Sequence, residues 1–169
     1  MKRLLILVVF LAFVTSVFAY TYTCQEGHFQ IDVPEGWEAA LLQQGYAVLI
    51  IKPKEGFNEV MIKWSKTTSR YAAEEFGSPF VLAEAHDKYK ADQLGHEKPS
   101  NRIISDNYLT NEGVRNMNVD NGFVITFKTP LGATRFAALF IKEDWLFELE
   151  AGGDYKVLVN CLNSFRALD

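Results

Sequence analysis

Side chains that bind metals or act as nucleophiles are scarce in this sequence. Its 169 residues hold two cysteines and three histidines, and His28, His86 and His96 match no recognised ligand spacing. No metal site is therefore expected. Gly-x-Ser-x-Gly is absent, which removes the signature of a serine nucleophile on a strand-to-helix turn. A glycine-rich phosphate cradle is also missing. Gly152-Gly153 suits a tight turn before a helix, so no cofactor is expected. Basic residues are scattered, and 17 Lys and Arg stand against 21 Asp and Glu, a surface that repels nucleic acid and anionic lipid. No nucleic-acid partner is expected. The chain has no Asn-x-Ser/Thr sequon, internal repeat, or Pro/Ser-rich linker that would open a second domain.

One hydrophobic run is present, and it lies at the start. Lys2 and Arg3 precede an apolar stretch from Leu4 to Val14, and Val17-Phe18-Ala19 supplies the small residues a signal peptidase reads. The run is shorter than the roughly 20 residues a spanning helix needs, and no later segment approaches that length. The expectation is a cleaved signal over residues 1–19 and a single α+β domain over 20–169, exported to the periplasm or beyond, with no membrane span after cleavage. Without Lys2 and Arg3 the 15 remaining basic residues leave a net charge near −6. Both cysteines, Cys24 and Cys161, lie in the exported part. An even count in an oxidising compartment favours one disulfide between the first strand and the last helix. The competing reading is two separately buried thiols.

Strand periodicity dominates the C-terminal third. Phe123, Ile125 and Phe127 alternate with less apolar neighbours, as do Phe136, Ala138 and Phe140, and then Trp145, Phe147 and Leu149. Thr129-Pro130-Leu131-Gly132 and Lys142-Glu143-Asp144 are turns, which makes the three strands an antiparallel meander with one aromatic face to be covered. Asp154 caps a closing helix whose Leu158, Cys161, Leu162, Phe165 and Leu168 form one apolar stripe. Earlier, His28–Val33, the strand opened by Trp37, Tyr46–Ile51 and Val60–Trp64 read as a four-stranded antiparallel run, with Tyr46–Ile51 apolar on both faces and so covered from both sides. Thr67–Gly77 holds a short helical turn around Ala72–Phe76. A longer helix is expected from Ser78 and Pro79 to a stop at Gly95. Arg102–Ser105 starts another strand, Asn107–Val119 reads as a hairpin turning at Asn111-Glu112-Gly113, and Asn121-Gly122 carries a hairpin signal.

The inserted helix holds the candidate ligand or partner surface. His86, Tyr89 and Gln93 share a face with Leu82 and Ala85, and that face rests over a sheet edge or partly covers a groove. A histidine there suits acid–base work or packing with one hydrogen-bond partner. Glu148 and Glu150 fall opposite Trp145, Phe147 and Leu149, the solvent-facing register if the aromatic face is the buried one. No residue is assigned a catalytic role.

Two short segments resemble a known group. Phe29-Gln30-Ile31-Asp32-Val33-Pro34-Glu35-Gly36-Trp37, a strand ending in Pro-x-x-Trp, and the closing Val157–Phe165 with Leu162-Asn163-Ser164-Phe165 are similar to the opening and final helix of small exported bacterial proteins of the PsbP-like and DcrB-like group. The resemblance implies an α/β/α sandwich around an antiparallel sheet and a noncatalytic binding or assembly role, and it carries no catalytic or ligand residues across. Three functions follow in order: an exported noncatalytic module that binds another envelope protein or assists its assembly; a periplasmic small-ligand carrier with His86 and Tyr89 roofing a pocket; and an enzyme using His86 with a carboxylate from elsewhere.

Overall fold

The computed structural model describes residues 18–44, 46–53, 56, 58–94 and 101–169. Residues 1–17 of the expected signal lie outside them, as do the expected helix stop at Gly95, and His96. In chain order come β1 (Phe18–Cys24), β2 (Phe29–Pro34), β3 (Trp37–Gln44), β4 (Tyr46–Pro53), β5 (Glu59–Lys66), α1 (Arg70–Phe76), α2 (Leu82–Leu94) and β6 (Arg102–Tyr108). Then follow α3 (Asn111–Met117), β7 (Asn121–Lys128), β8 (Thr134–Lys142), β9 (Trp145–Gly152), α4 (Tyr155–Ser164) and β10 (Arg166–Ala167). Seven strands form one antiparallel sheet in the order β3-β4-β5-β9-β8-β7-β6, and β1-β2-β10 form a second. Four helices flank the two sheets, giving the expected α+β, α/β/α arrangement.

Each face of the large sheet carries its own core. One face presents Leu49, Ile51, Ile62, Trp64, Phe136, Phe140, Phe147 and Leu149 to the small sheet and to α3 and α4. Phe29 of β2 anchors this layer, with its ring 5.3 Å from Trp64, 6.0 Å from Phe147 and 5.6 Å from Phe165. Phe165 in turn meets Phe140 and Phe147. Edge-on and stacked contacts of this kind each add about 0.5–1.5 kcal/mol beyond the area buried. The other face carries Phe123, Ile125, Phe127, Ala137, Leu139 and Leu146, covered by Ala72 and Phe76 of α1 and Ala85 and Tyr89 of α2.

Register therefore splits the aromatic set that the sequence suggested was one face. Phe123 pairs with Leu139, whereas Phe136 pairs with Thr126 and Phe140 with Gly122. Opposed residues of an antiparallel pair share a face, so the aromatics of β7 lie on the side opposite those of β8 and β9. The meander must be covered twice.

Several expected elements differ. β2 does not join the β3-β4-β5 run: the turn at Pro34–Gly36, with Gly36 at φ 76°, passes the chain from the small sheet to the large one. Ser78 and Pro79 lie in the turn between the helices, and α2 starts at Leu82. Asn107–Val119 is not a hairpin. Thr110 caps α3 by accepting the Gly113 N–H at 3.1 Å, and Asn118 ends it at φ 52° in the left-handed region asparagine tolerates. Asn121-Gly122 lies in β7, opposite Ile141 and Phe140, where a Cβ on Gly122 would stand 2.5 Å from the Leu139 carbonyl oxygen. Close approach, not a turn, requires this glycine. α4 is capped by Asp154 as expected but stops at Ser164, freeing Arg166 and Ala167 to pair with Gln30 and Phe29.

The expected disulfide is absent. Cys24 and Cys161 are both buried and unpaired. The Cys161 thiol, on α4, donates to the Asp32 carbonyl at 3.4 Å, and Asp32 pairs with Thr21. Cys24 lies three residues farther along β1, about 10 Å from Thr21 at ~3.3 Å per residue. Its sulfur accepts the Gly27 N–H at 3.3 Å instead.

Candidate functional site

Polar groups gather where α1 and α2 cross the meander. Leu82, Ala85, His86 and Tyr89 recur at helical spacing and turn inward, with Ala85, His86 and Tyr89 buried. Beneath them one row of the sheet runs Tyr108, Phe123, Leu139, Glu148 and Lys63 across β6, β7, β8, β9 and β5. The row places a carboxylate under two helices. Glu148 is 4% exposed; Oε1 accepts the Tyr71 hydroxyl at 2.7 Å and Oε2 the Tyr89 hydroxyl at 2.6 Å. Burial pushes its carboxyl above the ordinary range, opposed by the two phenol donors and by Lys63. Burial and the neighbouring carboxylate likewise push the Tyr89 phenol well above 10, so it keeps its proton and donates it to Glu148.

A second cluster borders the first. His86 Nε2 lies 2.6 Å from Asp106 Oδ1, and Lys90 Nζ donates to the other oxygen at 2.7 Å. The lysine hydrogen bond first, then the histidine one, hold the Asp106 carboxyl below the usual carboxylate range. His86 Nδ1 lies 3.2 Å from Asp87 Oδ1. Carboxylate oxygens only accept, so both ring contacts are hydrogen bonds when each nitrogen carries a proton. The residue is 7% exposed, with Phe123 edge-on to its ring at 5.0 Å and Tyr108 at 5.0 Å.

The structure brings His86 and Tyr89 together on the inward face of α2, and the side chain of Gln93 lies outside the described part. That face packs on the sheet, where Ala85 and Tyr89 join the core of Phe123, Ile125 and Leu139. The shorter of the two carboxylate contacts of His86 comes from Asp106 on β6, twenty residues along the chain, and the longer from the neighbouring Asp87, not from Glu74, Glu75 or Glu84. Glu74 and Glu75 serve Arg70 and Lys88 at the surface. Glu148 reads in the sequence as a solvated strand residue and is instead a buried acceptor. Its signal was the apolar set of β7, which needs a cover on the face that Glu148 shares. His28 adopts φ 54° and lies 4.9 Å from Trp145. Among the described residues no group of three or more His, Cys, Asp and Glu side chains is placed to hold a metal ion.

No protein-family model matches the sequence and no curated protein is similar to it. Solved structures are similar to it in shape. A structure from Bacteroides thetaiotaomicron VPI-5482 superposes with a TM-score of 0.48 at 12% identity, over 91% of this chain and 49% of that one, so the chain spans about half its length. The solution structure of cyanobacterial PsbP (CyanoP) from Synechocystis sp. PCC 6803 superposes with a TM-score of 0.62 at 9% identity, over 91% of this chain and 95% of that one. This likeness supports the PsbP-like fold that the short motifs implied, and at such identity it speaks to fold alone.

Proposed function

We propose that the protein is an exported, noncatalytic binding or assembly module of the bacterial cell envelope. Lys2, Arg3, the run from Leu4 and the Val17-Phe18-Ala19 site support export with a mature domain from Tyr20. The PsbP-like fold agrees with a noncatalytic role. The observation that carries the reading is the contrast between sealed polar groups and an open apolar edge. Glu148 is bonded by Tyr89 and Asp106 by His86, whereas Leu41 and Leu42 stand exposed, Leu42 at 47%, on β3, the last strand of the large sheet.

An edge strand offers unpaired backbone groups to an extended segment of another chain. The Ala39 N–H faces outward to the Tyr20 hydroxyl at 3.3 Å, and by alternation the Leu41 N–H and C=O face the same way. Leu41 and Leu42 project to opposite faces of that edge, so an added strand would meet an apolar side chain on each. The occupant we propose is an extended apolar segment of an envelope protein. A photo-crosslinking residue at position 42, expressed in the native host, is expected to capture one discrete protein, whereas the same residue at exposed position 156 captures none. Equal labelling at both positions, or none at 42, overturns the reading.

A further inference from the structure

Beyond α2 the same face of the sheet opens into a cavity of about 340 Å³. Its floor is a row of four neighbouring strands: Glu59 on β5, Gly152 on β9, Arg135 on β8 and Phe127 on β7. Two residues inward, Met61 and Glu150 continue the lining. Gly152 has no side chain to separate its neighbours. A Cβ there would lie 3.3 Å from Arg135 Nε and 3.5 Å from its Cγ, so the arginine leans over the glycine toward β5.

The charges of this cavity are unbalanced in a specific way. Glu150 faces Lys63 at 3.8 Å. Neither Arg135 nor Glu59 has an ion-pair or hydrogen-bond partner among the described residues. Their backbones are two strand spacings apart, about 10 Å at ~4.8 Å per spacing, and the gap between them is the bare glycine. A guanidinium at one side, a carboxylate at the other and apolar Phe127 and Met61 along the walls match a small molecule carrying both charges and an apolar side chain. We propose that this cavity binds a free apolar α-amino acid. Its carboxylate takes the Arg135 guanidinium through two parallel N–H donors, and its ammonium faces Glu59. The side chain lies against Phe127 and Met61. Neither a monoanion nor a monocation satisfies both walls.

This site lies apart from β3 and stands independently of the partner-binding role. The probe is L-leucine, titrated into isotopically labelled protein and followed by amide chemical shifts. L-leucine up to about 10 mM is expected to shift amides of residues 59–61, 133–136 and 150–153 saturably, in the weak range normal for a ligand of nine heavy atoms. N-acetyl-L-leucine, which lacks the ammonium, and L-leucinamide, which lacks the carboxylate, should each bind at least about tenfold more weakly, a loss of ~1.4 kcal/mol. Arg135→Gln and Glu59→Gln should weaken L-leucine binding about as much. Both replace exposed side chains, and their unperturbed spectra elsewhere confirm folding. The proposal is overturned if no saturable shifts occur at these amides, if either blocked compound binds as tightly as L-leucine, or if both variants bind it unchanged.

Discussion

Glu148 shows how one side chain takes its character from the register of its strand. In β9 it alternates with Phe147 and Leu149 as any outward residue would, yet the face it points to is closed by α1 and α2. Desolvation raises its folded-state pKa above the ordinary glutamate value of 4.5, and the tyrosine hydroxyls only partly oppose this. The folded state therefore holds the proton more tightly than the unfolded chain. The stability tied to this group is complete below the ordinary value and is lost as pH rises through the folded one. Glu148→Gln keeps an acceptor in place and removes the titration. Measured by urea unfolding, the variant is expected to cost about 1 kcal/mol at pH 4, where Glu148 is itself neutral, and to gain on the parent as the pH is raised to 8. A stability difference that stays constant over that range would show that burial does not govern this carboxylate. Asp106, held down by Lys90 and His86, has the opposite sign: its contribution is present above its unfolded pKa and is lost as pH falls through the folded one. Because Asp106 is common to both proteins, its titration cancels in that difference.

Elements with a strong period and a chemical stop at each end were legible from the sequence. β7, β8, β9 and α4 follow from alternating aromatics, the Pro130-Gly132 turn and the Asp154 cap. The inward face of α2 follows from the spacing of Leu82, Ala85, His86 and Tyr89. What was not legible was pairing. Nothing local indicates that β2 leaves β3 to join β1 and β10, that Phe123 and Phe140 occupy opposite faces, or that Asp106 on a different element faces His86. Each depends on register between distant segments, and one residue of slip exchanges the faces. The error at α3 was of another kind. Asn111-Glu112-Gly113 has turn chemistry, but Thr110 ahead of it accepts the Gly113 N–H, which starts a helix just as well. If that cap decides between helix and hairpin, Thr110→Ala should destabilise the protein by about 1 kcal/mol, and Thr110→Ser by much less. It should also speed amide exchange first at Val114, which bonds to the Thr110 carbonyl at 2.9 Å. Alanine and serine variants of equal stability would place the choice in the packing of Met117 instead.

At the scale of the whole molecule, the pairings that close the fold join its beginning to its end. β5 pairs with β9 from Glu59–Gly152 to Lys66–Trp145, and β2 is held by β10 and by the Ser164 hydroxyl, which accepts the Asp32 N–H at 2.9 Å. Neither half of the chain has a complete sheet without the other. The two thiols lie within this closure, Cys24 at the end of β1 and Cys161 on α4, both in the core beneath the small sheet. Burial pushes the Cys161 thiol up to about 12 and raises that of Cys24 as well, so neither is a reactive thiolate at neutral pH. A thiol reagent should find none in the folded protein within minutes and two per chain in denaturant without reductant. Fewer than two in denaturant would mean that the cysteines had paired. The kinetics add a sharper test, because exposing either sulfur requires the layer of β1, β2, α4 and β10, with Phe165, to lift from Phe140 and Phe147. Both thiols are therefore expected to react in one phase, with a urea dependence equal to that of the tryptophan signal from Trp64 beneath the same layer. A fast first thiol followed by a slow second would show instead that β1 opens alone, leaving α4 and Cys161 seated on the large sheet.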